Sequence, residues 1–216
     1  MNRKFLLVII VLASIGLISI CYLLAASGKP QPGASPPSVT ERLSYSTKIA
    51  EARRFVKENR HNDSLCFLIN MNVESGSNRF TVYDIKKDSV ILTGLVTHGR
   101  CNKNWLVGRR YSNEPGCGCS SLGKYKIGKS YMGKFGLAYK LHGLESTNSN
   151  AYKRYVVLHS HGCVPEGEVN PAPICQSDGC PTVSPAFFDK LAKIINHSKK
   201  PILLWIFDDG VVSRGN

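Results

Sequence analysis

Between His159 and Cys180 the chain reads HSHGCVPEGEVNPAPICQSDGC, the densest run of nucleophilic and basic side chains among its 216 residues. A thiol attacks a carbonyl carbon only as thiolate, so a reactive cysteine needs a nearby base or positive dipole. An imidazole hydrogen-bonded to sulfur supplies the base. Two pairs have that composition at equal spacing, His159 with Cys180 and His142 with Cys163. The surroundings favour the first. Cys180 is soon followed by Ser184-Pro185, a helix-opening pair that puts the positive end of a helix behind the sulfur, whereas Cys163 runs into an acidic, Pro-rich loop. Gly179 permits a sharp bend, so that the amides around Gly179 and Cys180 face a developing oxyanion. Ser160, beside the base, would hold its tautomer or orient a substrate. Ser177 and Asp178, next to the nucleophile, are candidate substrate contacts.

The elements that must carry these groups are visible in the apolar pattern. Residues 43–59 place Ile49, Ala52, Phe55 and Val56 on one helical face and Lys48, Arg53, Arg54 and Lys57 elsewhere, which predicts an amphipathic helix with a solvated basic face. From Leu65 the period changes. The stretches LCFLINMNV, RFTVYDI and SVILTGLV, separated by turn-forming runs, predict a three-stranded meander. Residues 100–123 are rich in Gly, Asn, Ser and Cys without periodicity and read as a long binding loop. Short strands are expected at 124–127, 137–142 and 154–159, a helix over 184–197 and a last buried strand at 201–207. Strands dominate, so the fold class is mostly β with two helices, a β-rich sandwich or barrel.

Hydrophobic residues at 43% and charged residues at 20% suit a chain that buries a real core, which excludes disorder over most of its length. Residues 5–26 form an uncharged apolar run behind Arg3 and Lys4, long enough to cross a bilayer with the N-terminus inside. The division that follows is a signal-anchor at 1–27, a Pro/Gly/Ser-rich linker at 28–40 and a catalytic domain at 41–216. Export places the domain in the cell envelope, on the periplasmic side of the cytoplasmic membrane. The formal charge of +13 then faces a wall polymer or lipid head groups, and nucleic acid is excluded as a partner. Arg109, Arg110, Lys124 and Lys126 are candidate contacts for substrate carboxylates, and His98 and His161 read as polar residues near a cleft.

Without Cys21 and Cys180, six cysteines remain: Cys66, Cys101, Cys117, Cys119, Cys163 and Cys175. Disulfides suit an exported domain. A Cys163–Cys175 bridge would shorten the loop between the candidate catalytic residues, but six cysteines allow many connectivities and spacing selects none. No Cys-x-x-Cys pair is present, so no metal site is expected.

His159-Ser160 at a strand end, followed after a loop by Ser177-Asp178-Gly179-Cys180-Pro181, resembles the signature of the L,D-transpeptidase (YkuD-like) family, in its murein L,D-transpeptidase branch. TGLVTHG at 93–99, SSLGKYKIG at 120–128 and FGLAYKLHGLESTNSNA at 135–151 resemble its core strands, so the likeness spans about residues 65–207. Asp178 stands where many members have His, and Pro181-Thr182 where Arg or Asn is usual. Ser160-His161-Gly162-Cys163 spells the commoner motif letter for letter. The resemblance implies a β-rich catalytic fold, Cys180 as nucleophile, His159 as base and peptidoglycan stem peptides as substrate, with no cofactor. A monomer is expected. A sortase-like cysteine transpeptidase, which would need a later arginine, and a non-catalytic, disulfide-stapled wall-binding domain are the alternatives. If residues 5–26 are an uncleaved anchor, the mature protein begins at Met1 or Asn2 and sediments with membranes. N-terminal sequencing that starts near Ser27 would replace anchor by cleaved signal.

Overall fold

A computed structural model describes residues 39–210, with side chains from residue 45 onward. The expected anchor and nearly all of the linker lie outside these residues. Among the described residues no helix is long and apolar enough to cross a membrane. The first helix, α1 (Val39–Glu58), begins just ahead of the expected domain start. The meander follows as β1 (Leu65–Asn70), β2 (Phe80–Asp84) and β3 (Ser89–Gly94). After a long loop come β4 (Gly123–Gly133) and β5 (Gly136–Gly143), then β6 (Val157–Ser160) and β7 (Thr182–Val183). Helix α2 (Pro185–His197) and strand β8 (Leu203–Phe207) complete the fold. Among the described residues it is mostly β with two α-helices, as expected, and all eight strands join one mixed sheet in the order β3-β2-β1-β8-β4-β5-β6-β7.

The centre of the sheet explains the two unbroken apolar runs. Strands β1 and β8 pair in parallel and are buried on both faces, so neither shows the polar alternation of a half-exposed strand. Phe67, Ile69, Leu204 and Ile206 pack on one side with Phe187, Phe188 and Leu191 of α2. Cys66, Leu68, Leu203, Trp205 and Phe207 pack on the other with Ala52 and Val56 of α1. Burying each large apolar side chain contributes about 1.5–3 kcal/mol. Helix α2 starts where its sequence says. The Ser184 hydroxyl accepts the Phe187 N–H, and Pro185 fills a first-turn position whose N–H would otherwise lack a partner.

Three departures from the expected strands have local causes. Strand β4 runs well past 124–127 because its outer residues Ser130 to Gly133 pair only with β5 and carry no buried face to reveal them. Strand β6 starts at Val157 instead of 154, since Arg154 and Tyr155 belong to a turn in which Tyr155 has φ +56°. Strand β7 is two residues long, too short for any period to register.

Lys124 does not wait for a substrate. Its side chain is buried, its Nζ lies 2.7 Å from Glu51 and 2.8 Å from Glu145, and it sits 4.1 Å from the Trp205 ring centroid. It ties α1 to β4. Arg79 is buried likewise and donates to the Val96 carbonyl at 2.7 Å and to His98 Nδ1 at 3.1 Å. Burial, then the charges of Arg79 and Arg109, push His98 down to about 4.

His98 is therefore neutral in the fold at pH values where the unfolded chain binds a proton. Its contribution is fully present above about pH 6.5 and is lost as pH falls toward about 4, on the order of 3 kcal/mol. Urea midpoints should fall between pH 7 and pH 4.5, and less steeply in His98→Gln. An equal fall in both proteins would remove His98 as the cause.

Candidate active site

Strands β6 and β7 run parallel with His159 opposite Thr182 and Ser160 opposite Val183. The segment leading into β7 is stitched to a second backbone. Thr97 N–H donates to the Thr182 carbonyl at 2.9 Å, Thr97 Oγ1 donates to the Cys180 carbonyl at 3.2 Å, and Ser177 N–H donates to the His98 carbonyl at 2.9 Å. Cys180 thus arrives beside Val157, whose N–H donates to its Sγ at 3.5 Å. The thiol itself points at the Tyr155 carbonyl, 3.7 Å away.

His159 is buried, and both ring nitrogens have partners. Nδ1 lies 3.0 Å from the Ser160 carbonyl, which can only accept, so Nδ1 carries the proton and Nε2 the lone pair. That lone pair meets Thr182 Oγ1 at 3.0 Å. The hydroxyl therefore donates to the imidazole, and in place of the expected direct imidazole–sulfur hydrogen bond Nε2 is engaged by Thr182 and the thiol by the Tyr155 carbonyl. Phe135, at the β4–β5 turn, covers the ring with centroids 5.0 Å apart and planes 16° apart. Burial holds His159 below its ordinary range against the pull of the Ser160 carbonyl, and His161 adds to the lowering.

Burial also pushes the Cys180 thiol up, opposed by the Val157 N–H and the Arg154 guanidinium and reinforced by Asp178. The two opposite displacements both favour the neutral form, of the thiol and of the imidazole. Arg154 is held beside the thiol by the Ser112 carbonyl at 2.9 Å, Ser121 Oγ at 3.0 Å, the Cys119 carbonyl and Cys117 Sγ at 3.3 Å. Gly179 rests on this scaffold. Its φ is +108°, and a Cβ there would lie 2.5 Å from the Cys119 carbonyl oxygen and 3.3 Å from Arg154 Nη2, so only glycine fits.

The remaining sequence candidates divide. Ser177 Oγ donates to the Cys180 carbonyl at 2.7 Å and accepts the Gly179 N–H at 3.1 Å, so it closes the turn and engages one of the two amides expected at an oxyanion. Asp178 is exposed and paired with Arg100 at 2.7 Å. Ser160 orients the base through its carbonyl, a main-chain atom that any residue would supply. Cys163 is bridged to Cys175 and carries no thiol, while His142 stacks on Tyr152 at 5.0 Å. A second bridge joins Cys101 to Cys119, and Cys66, Cys117 and Cys180 are free, so the six accessory cysteines do not all pair. Arg109 lies 3.6 Å from Asp208 and 3.8 Å from Glu74. Thr182, Arg154, Thr97 and Phe135 were not anticipated. Thr182 had a signal, since residues two apart in a strand share a face; Arg154, on a turn, had none.

A family model described as the L,D-transpeptidase catalytic domain matches residues 38–206, and the chain belongs to that family. Among solved structures, the helical cell shape determining protein Pgp2 from Campylobacter jejuni is similar at 12% identity and TM-score 0.41, covering 76% of this chain and 55% of that one. An L,D-transpeptidase from Xylanimonas cellulosilytica DSM 15894 is similar at 12% identity and TM-score 0.37, covering 67% and 60%. The chain therefore spans a little over half the length of these proteins. No curated protein sequence matches it.

A neutral resting pair is distinguishable from a preformed thiolate–imidazolium pair. Alkylation of Cys180 by iodoacetamide, followed by peptide mapping, should accelerate with pH through and beyond the ordinary thiol value of 9.0, and Arg154→Gln should move that rise higher. A rate plateau on the acid side of neutrality would show an ion pair instead.

Proposed function

We propose that this chain is a murein L,D-transpeptidase that cleaves the bond before the terminal D-alanine of peptidoglycan tetrapeptide stems. The observation that carries the reading is the Cys180 thiol held by the N–H of Val157, two residues before His159 on β6, in a domain of this family, with the imidazole proton held on Nδ1. Nε2 is then the acceptor for the thiol proton.

The chemistry follows from that tautomer. When the Cys180 side chain turns from the Tyr155 carbonyl and the Thr182 hydroxyl releases Nε2, His159 takes the proton as sulfur attacks the carbonyl carbon of the third stem residue. The oxyanion is received by main-chain amide, with the Cys180 N–H the nearest candidate, because the Gly179 N–H is engaged by Ser177. The protonated imidazole gives its proton to the departing D-alanine nitrogen, leaving a thioester on Cys180. An amine of a second stem resolves it to a cross-link, or water resolves it to a tripeptide, with His159 accepting the proton and returning it to sulfur. Arg154 favours the thiolate at each passage. No step calls on a cofactor. The proposed setting is a monomer in the cell envelope, anchored by residues 1–27, with the catalytic domain periplasmic.

Incubation of the full-length protein with a disaccharide tetrapeptide should yield a thioester adduct by intact-protein mass spectrometry, then free alanine with tripeptide or dimer. Cys180→Ser should lower turnover by about a thousandfold or more while remaining folded. Cys163→Ser loses its bridge and about 2–5 kcal/mol of stability, yet its folded molecules should still form the adduct. An adduct that persists in Cys180→Ser would end this assignment of the nucleophile. Stem-peptide binding without any alanine release would favour a wall-binding module.

A further inference from the structure

Between the β4–β5 hairpin and the end of α2 the structure holds an open cavity of about 750 Å³ lined by Lys126, Lys129, Lys140, Lys199 and Lys200 together with His142, and among the described residues no carboxylate lines it. It forms where β4 bulges between Ile127 and Ser130. Gly128 at that bulge has no side chain to fill the space, and a Cβ there would meet His142 Nε2 at 2.6 Å. The imidazole occupies that position and stacks on Tyr152, forming one wall.

Not all five lysines are equally free. Lys199 and Lys200 follow the carbonyl end of α2, which offsets part of their charge, and Lys200 lies close enough to Asp63 to help hold its carboxyl low. Lys126 and Lys140, on strands, form no ion pair among the described residues. Lys140 Nζ sits 5.0 Å from both the Tyr131 and Tyr152 ring centroids, which holds an ammonium in place without neutralising it. The unbalanced field reaches the neighbours. Burial lowers His142, and Lys126 and Lys140 lower it further.

The connection to the thiol is through the sheet. Lys140 is the register partner of Val157, the residue whose N–H donates to Cys180 Sγ at 3.5 Å, so its strand lies about 5 Å from the backbone that cradles the nucleophile. A stem peptide ends in a carboxylate and carries others along its length. A substrate whose scissile carbonyl meets Cys180 brings those carboxylates toward the five-atom lysine arm on the neighbouring strand.

We propose that Lys126 and Lys140 form a carboxylate-binding subsite for the stem peptide. The inference rests on reading Cys180 as the transpeptidase nucleophile. The apolar residues Ile127 and Ile202 between the lysines and the helix end supply the floor against which the peptide lies. The subsite selects anionic stems over amidated ones and weakens with salt, because its lysines are only partly shielded from solvent.

Binding can be read separately from turnover. Calorimetry on the full-length Cys180→Ser protein should find a disaccharide tetrapeptide with free carboxylates bound at least about tenfold more tightly than its fully amidated counterpart. Lys126→Gln combined with Lys140→Gln should abolish that difference, and Lys140→Arg should retain it. Lys87→Gln, at the β2–β3 corner, should leave it unchanged. Equal affinity for the two ligands, no binding of either, or a preference that survives in the double variant would each overturn the subsite. Absence of alanine release by the wild-type protein, with lysine-dependent preference intact, would instead overturn the transpeptidase reading and leave the subsite standing.

Discussion

The site depends on one short parallel pairing, that of β6 with β7, in which His159 faces Thr182. Two residues of ladder are too few to hold a strand, and parallel pairs are slightly weaker per residue than antiparallel ones. The segment from Ser177 to Thr182 is instead gripped from its other side by the backbone at Thr97 to Arg100, through five hydrogen bonds that include both the Thr182 carbonyl and N–H. Cys180 therefore sits on a strap pinned between two parts of the chain, neither adjacent to it in sequence. The bridge between Cys163 and Cys175 limits the excursion of the loop that leads into this strap.

That grip also sets the chemistry of the resting site. Enclosing Cys180 and His159 raises one and lowers the other, which favours the neutral form of both. Arg154 tempers the cost, and it can do so because the loop carrying Cys117 and Cys119 holds the guanidinium by main-chain and sulfur acceptors instead of by a carboxylate. A carboxylate partner would have cancelled the field that reaches the thiol. The Thr182 hydroxyl engages Nε2 as a donor, keeping the imidazole neutral and oriented.

The basic charge of the chain has separate structural uses. Lys124 is consumed by Glu51 and Glu145 in joining the first helix to the sheet, and Arg79 by carbonyls beneath the strap. Lys126, two residues beyond Lys124 on the same strand, emerges past that junction into a cavity without counter-charge. The same strand thus carries a lysine that stabilises the fold and one free to meet a ligand, and the difference is the position of α1.

The central strands, both helices and the cap at Ser184 were legible because each leaves a local mark: an unbroken apolar run, a helical stripe, a hydroxyl before a proline. Cys180, His159 and Gly179 were legible as a motif, with Gly179 independently required by a left-handed backbone. What the sequence could not order was the contact between motif and scaffold. The two-residue strand β7, the Thr182–His159 hydrogen bond, the Arg154 contact and the choice of two bridges among six cysteines all depend on which distant backbones lie side by side. The equal spacing of His142–Cys163 and His159–Cys180 makes the point. Only the tertiary structure, by spending Cys163 on Cys175 and stacking His142 on Tyr152, leaves Cys180 as the free thiol of the two pairs, because sulfur pairing and ring stacking are settled by proximity in space and not along the chain.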